Sequence, residues 1–170
     1  MDIVWQYLSH TPWWVYVLFI YLVSRGLKAM KPGEVSLQKL AIIPVLFTLW
    51  SLRDLVRIYG VTTQSVSIWL VGILVGIAAG WLLVRNAAIR VDPASGVIHH
   101  PADYTLLPLI VFTFAVKYTF GVISATSPDL LQQPAYMLAD LGLSGLFSGM
   151  FIGKFAVYAG RYFSARKVPA

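Results

Sequence analysis

The sequence predicts an all-α, polytopic membrane protein. The predicted architecture is a bundle of five transmembrane helices, N-terminus outside and C-terminus inside, with a short cytoplasmic β-hairpin. Three observations carry this. Hydrophobic residues make up 58% of the 170 residues and charged residues only 12%, about half the charged share of a soluble domain. The apolar residues gather into five blocks, each close to the ~20 residues that cross a bilayer core. Lys and Arg alternate strictly between successive loops.

The blocks cover residues 12–30, 39–60, 65–85, 104–125 and 135–163 of a single integral domain, 1–170. Their lengths fit helices, because barrel strands are shorter and alternate with period two. Pro44 should kink the second block, whereas Pro108 lies in the first turn of the fourth, where proline is tolerated. Arg25, Lys28, Lys31 and Lys39 surround the first loop, Arg85 and Arg90 the third, and Arg161, Arg166 and Lys167 the C-terminus. Placing these in the cytoplasm gives the N-out, C-in orientation. Trp13, Trp14 and Trp69 then fall at the outer interface and Trp81 at the inner one. Residues 89–99 surround "DPASG", where Asp, Pro and Gly96 favour a turn, so a hairpin is expected there. The N-terminal "MDIVWQYLSHTPWW" lacks a basic n-region and a cleavage site, and is read as retained. His10 within it reads as a solvated interfacial residue.

The formal charge is +6. Nucleic acid is not inferred from it, because the basic residues sit at the ends of apolar blocks. With no cysteine, disulfides, thiol catalysis and cysteine metal sites are excluded. Enzyme motifs such as a phosphate-binding glycine loop, His-Glu-x-x-His or Gly-x-Ser-x-Gly are absent from the sequence. A non-enzyme without cofactor or metal is expected. His99 and His100 are adjacent on the expected strand and point to opposite sides, which does not suit chelation of one ion.

Two glycine stripes stand out, Gly72, Gly76, Gly80 in the third block and Gly145, Gly149, Gly153 in the fifth. A spacing of four puts each set on one helix face, where a neighbouring backbone can approach closely. The leading expectation is packing of the two helices on each other. Homodimerisation through one face and a passage lined by small residues are the alternatives.

Charge also enters the spans. Arg53, Asp54 and Arg57 lie near the outer end of the second block, Lys117 roughly 18 Å along the fourth at 1.5 Å per residue, and Asp140 early in the fifth. These share one membrane layer. A charge facing lipid there costs roughly 2.5–3.5 kcal/mol on the lenient scale, so Arg53, Asp54, Lys117 and Asp140 should turn inward. Asp54 can pair with Arg57 three residues on, and Asp140 with Lys117 or Arg53. Three cations against two carboxylates leave one cation over. It would suit the anionic group of an amphiphile or lipid that the protein binds or moves. A purely structural network, with the surplus charge reaching headgroups, is the simpler reading. Ion or proton translocation, with Asp54 and Asp140 as carriers, is a third. Lys154 is expected to snorkel alone to the cytoplasmic face.

With the spans placed, "HTPWWVYVLFIYLVSRGLKAMKP", "VSLQKLAIIPVLF", "VDPASGVIHHP", "FAVKYTFGV" and "SGLFSGMFIGKF" resemble a bacterial family of small multi-pass inner-membrane proteins with a domain of unknown function. "KLAIIPVLF" is also remotely similar to a protein associated with cytochrome c biogenesis. The resemblance implies the bacterial cytoplasmic membrane and supplies no activity. The alternative role is an accessory or structural subunit of a membrane complex. Expected partners are membrane lipids, with a second copy or another membrane protein as further candidates.

Overall fold

In the computed structural model the five apolar blocks each become a helix. The structure describes residues 13–92 and 95–167, apart from the side chains of Trp14 and Lys167. The expectations for residues 1–12, His10 among them, and for the side chains of Trp14 and Lys167 lie outside the described residues. In chain order come α1 (Trp13–Ala29), β1 (Gly33–Val35), α2 (Leu37–Asp54), a π-helical segment (Leu55–Tyr59), α3 (Thr63–Val84), β2 (Arg90–Val91), β3 (Ile98–His100), α4 (Leu106–Thr126), the single-turn α5 (Pro128–Leu131) and α6 (Pro134–Lys167).

Three helices are long and apolar enough to cross a membrane, Thr63–Val84, Leu106–Thr126 and Pro134–Arg166. The other two long helices are less apolar or shorter. Helix α1 has 17 described residues, and α2 carries Lys39, Arg53 and Asp54. The second block is not one uniform helix to residue 60: its last turns widen into the π segment, which ends at Gly60 with φ +73°. Helix α3 starts at a capping box, with Thr62 Oγ1 accepting from the Ser65 amide and Ser65 Oγ accepting from the Thr62 amide. These bonds satisfy amides that a helix start leaves without partners.

The most extensive helix contact is α3 on α6, and the glycine stripes are its cause. A Cβ on Gly76 would fall on the Leu146 carbonyl oxygen, and one on Gly149 on the Ile73 carbonyl oxygen. Gly72, Gly80, Gly145 and Gly153 meet the opposite backbone in the same way. Backbone packing of this kind replaces the hydrophobic drive that lipid removes. Both faces are used within the chain, which removes them as a dimer surface or a passage. Leu22, Ile43, Phe47, Leu109, Ile110, Phe147 and Phe151 form the main apolar cluster across α1, α2, α4 and α6.

The hairpin is present, and it gains a strand that the sequence did not suggest. β3 pairs antiparallel with β2 on one side and with β1 on the other. Gly96, at φ +68°, turns the hairpin as expected. Ile98 and Ile89 pack on Tyr158 of α6, so the sheet is fastened to one end of the bundle. That end also holds the α1–α2 connection, and Lys28, Lys31, Lys39, Arg85, Arg90 and Arg161 all lie around it. It is the basic end.

Candidate functional site

Two lysines are buried inside the bundle, Lys117 at 4% and Lys154 at 5% exposure. They sit in different surroundings.

Lys117, on α4, meets charges from α2 and α6. Its Nζ lies 2.7 Å from Asp54 Oδ2 and 3.9 Å from Asp140 Oδ1. The π segment aims Tyr59 at the same carboxylate, and its hydroxyl donates to Asp140 Oδ2 at 2.9 Å. Ser144, one turn on from Asp140, donates to Oδ1 at 3.1 Å. The structure thus brings Asp54, Lys117 and Asp140 together. It corrects two expectations about the arginines. Arg53 does not face the interior: its side chain is 60% exposed and only grazes Asp54 at 3.8 Å. Arg57 is exposed and does not pair with Asp54. The reason is rotation. Turning Asp54 toward Lys117 carries Arg53, one residue before it, about 100° round the helix. The surplus cations are therefore on the outside of the bundle, and the buried lysine is neutralised within it.

Lys154, on α6, corrects a third expectation. It neither stands alone nor snorkels. Its Nζ lies 2.6 Å from Asp103 Oδ2 and donates to Thr105 Oγ1 at 2.7 Å. Asp103 is held in turn: its amide donates to the Ala29 carbonyl, and Oδ1 accepts from the Thr105 amide and hydroxyl. Burial by itself raises the Asp103 carboxyl. The Lys154 ammonium, with the bonds from Lys154 and Thr105, outweighs burial and holds the carboxyl below its ordinary value.

This second pair borders a cavity of about 260 Å³ at the basic end. Arg25, Lys28, Lys39 and Lys154 line it together with one inward carboxylate, Asp103; Glu34 is at the rim, but its carboxylate turns to the outer face of the sheet. Ile43, Pro44, Leu106, Phe151 and Phe155 form its apolar wall, and His100 and Tyr158 complete it. Helices α1, α2, α4 and α6 and strands β1 and β3 all contribute. The third strand matters here, because it brings Gly33, Glu34 and Val35 to the rim. His99 points away, as alternation requires, and pairs with Glu34 at 3.4 Å on the surface. Among the described residues no group of three His, Asp or Glu is placed to hold a metal ion.

Asp103 is the residue that sequence reasoning missed. One signal was available: Lys154 lies in an apolar span and needs a counter-ion, and Asp103 immediately precedes a span that begins at the same end. A groove adjoins the cavity along α2 and α6, lined by Ala41, Pro44, Val45, Thr48, Leu49, Ile152 and Phe155.

No curated protein and no solved structure matches the chain. A family profile, described as a family of unknown function (DUF6622), matches residues 2–170. Since that match takes in the helices, the sheet, both lysine sites and the cavity, the chain belongs to this family of unknown function.

Proposed function

We propose that the protein is a non-enzymatic, multi-pass membrane protein that binds an anionic amphiphile, and that the anionic group sits in the cavity at the basic end. The observation that carries this is the cavity's lining, which combines four cations and the single inward carboxylate of Asp103 with apolar residues. Ligand sites of this type combine an apolar enclosure with a few placed polar groups. The outer-layer cluster is the less suitable anion site, because Lys117 already lies between Asp54 and Asp140.

In this reading α1 and α2 also cross the membrane, giving five spans with the basic end in the cytoplasm of a bacterial inner membrane. The ligand is then met from the inner leaflet. Reporter fusions at the C-terminus and at Thr62–Gln64 should register cytoplasm and periplasm respectively; the opposite pattern removes the orientation. Protein purified in mild detergent should carry an anionic lipid identifiable by mass spectrometry. Replacing the rim lysines together, Lys28→Gln with Lys39→Gln, should deplete that lipid several-fold. Undiminished lipid in that variant, or zwitterionic lipid only, would overturn the reading. The accessory-subunit alternative, with its link to cytochrome c biogenesis, has no structural observation in its favour; a partner cross-linked to lipid-free protein would restore it.

A further inference from the structure

The cavity and the neighbouring groove share two walls, Pro44 of α2 and Phe155 of α6. From Pro44 the cavity extends toward the charged residues at the basic end. The groove extends the other way along α2, past Val45 and Thr48 to Leu49, and is apolar apart from one hydroxyl. Val45 is 54% and Leu49 61% exposed, so the groove opens to the outside of the bundle, which in a membrane is the acyl-chain region. Pro44 to Leu49 is roughly 7.5 Å of helix at 1.5 Å per residue, and Ala41 lines the groove beside the cavity. The groove's volume is about 260 Å³, below the ~300–1,000 Å³ of sites that enclose drug-sized ligands. It offers one path for a chain. The single hydroxyl, Thr48 Oγ1, is buried behind this surface, so the groove presents apolar atoms to its occupant.

Charge specifies the head. Asp103 matches Lys154, which leaves Arg25, Lys28 and Lys39 as cations without an inward carboxylate on the cavity lining. A phosphate monoester carries about −1.5 to −2 at neutral pH and offers three acceptor oxygens, and Arg25 provides the planar fork that phosphate accepts best.

We propose that the ligand is a single-chain phosphate monoester amphiphile, its phosphate among Arg25, Lys39 and Lys154 and its one acyl chain in the α2–α6 groove past Thr48. This rests on the anionic-amphiphile reading above and adds the chain count, the head chemistry and the tail's path.

The test uses the full chain in maltoside detergent, with 1-oleoyl-lysophosphatidate, oleate, oleoyl-lysophosphatidylcholine and inorganic phosphate as probes and binding read by native mass spectrometry. Lysophosphatidate should bind at least ten-fold tighter than either oleate or lysophosphatidylcholine. Inorganic phosphate should bind weakly, by the head site alone. Ala41→Trp and, separately, Val45→Trp should each fill the groove. Whichever of them folds should weaken lysophosphatidate at least ten-fold and leave inorganic phosphate unchanged. If the groove variants bind lysophosphatidate as the unmodified chain does, while Lys28→Gln with Lys39→Gln loses it, the tail assignment is wrong and the anionic-amphiphile reading stands. If oleate binds as well as lysophosphatidate, the phosphate assignment is wrong. If neither rim nor groove variants change binding, both readings fall.

Discussion

The two buried lysines pose one physical problem and solve it differently. Lys117 sits between two carboxylates, with Ser144 donating to the same Asp140 oxygen, Oδ1, and Tyr59 to the other, Oδ2. Lys154 has one carboxylate and one hydroxyl, and it borders a cavity rimmed by other cations. A buried ion pair stabilises a fold only when its remaining lone pairs and protons are satisfied. Lys154 meets that standard at least as well as Lys117, with two close polar contacts against one. What differs is the setting: Lys117 is enclosed among α2, α4 and α6, whereas Lys154 borders the cavity, and in the proposed reading only Lys154 is within a ligand's reach.

The largest expected effect breaks the first site. Lys117→Ala leaves Asp54 and Asp140 facing each other without their cation, and should destabilise the detergent-solubilised protein by about 3–5 kcal/mol. Combining it with Asp54→Ala should restore part of the loss. Because Nζ is 2.7 Å from Asp54 and 3.9 Å from Asp140, the coupling to Asp54 should exceed the coupling to Asp140. Additive thermal shifts in both double variants would show that these groups do not act as a unit.

A smaller loss, about 1–3 kcal/mol for a buried acceptor deprived of one partner, should follow Lys154→Met, since Thr105 still donates to Asp103. This variant should cost more in bound anionic lipid than in thermal midpoint, the reverse of Lys117→Ala. Equal stability losses with lipid retained would erase the distinction between the two lysines.

The smallest effect is a pH dependence. The Asp103 carboxyl is held below its unfolded value of 3.8, so ionised Asp103 stabilises the fold above that value and the contribution disappears as pH falls through the folded one. The stability difference between the unmodified chain and Asp103→Asn should stay constant from pH 7 to about 4 and shrink below that. A difference that fades already near pH 6 would mean that Lys154 does not hold the carboxylate.

Much of this molecule is legible in one dimension. Apolar block lengths announce the helices, the four-residue glycine spacing announces the α3–α6 contact, and Gly96 after Asp92 announces the hairpin turn. Each is a local property, because a spacing along the chain determines which residues share a helix face. The glycine stripes even name their partner, since only another stripe allows two backbones so close. The layer containing Asp54, Lys117 and Asp140 follows from depth alone. What periodicity does not contain is the rotation of each helix about its axis. That rotation decided that Asp54 faces Lys117 while Arg53 and Arg57 face outward. It also brought Lys154 to Asp103 across 50 intervening positions that take in α4, α5 and the first part of α6, a pairing with no local trace. β1 joined the sheet because the α1–α2 connection ends beside β3, and the cavity exists because α1, α2, α4 and α6 leave space where that sheet caps them. Helix faces come from the order of residues; which faces meet, and what space they leave, comes from packing all of them at once.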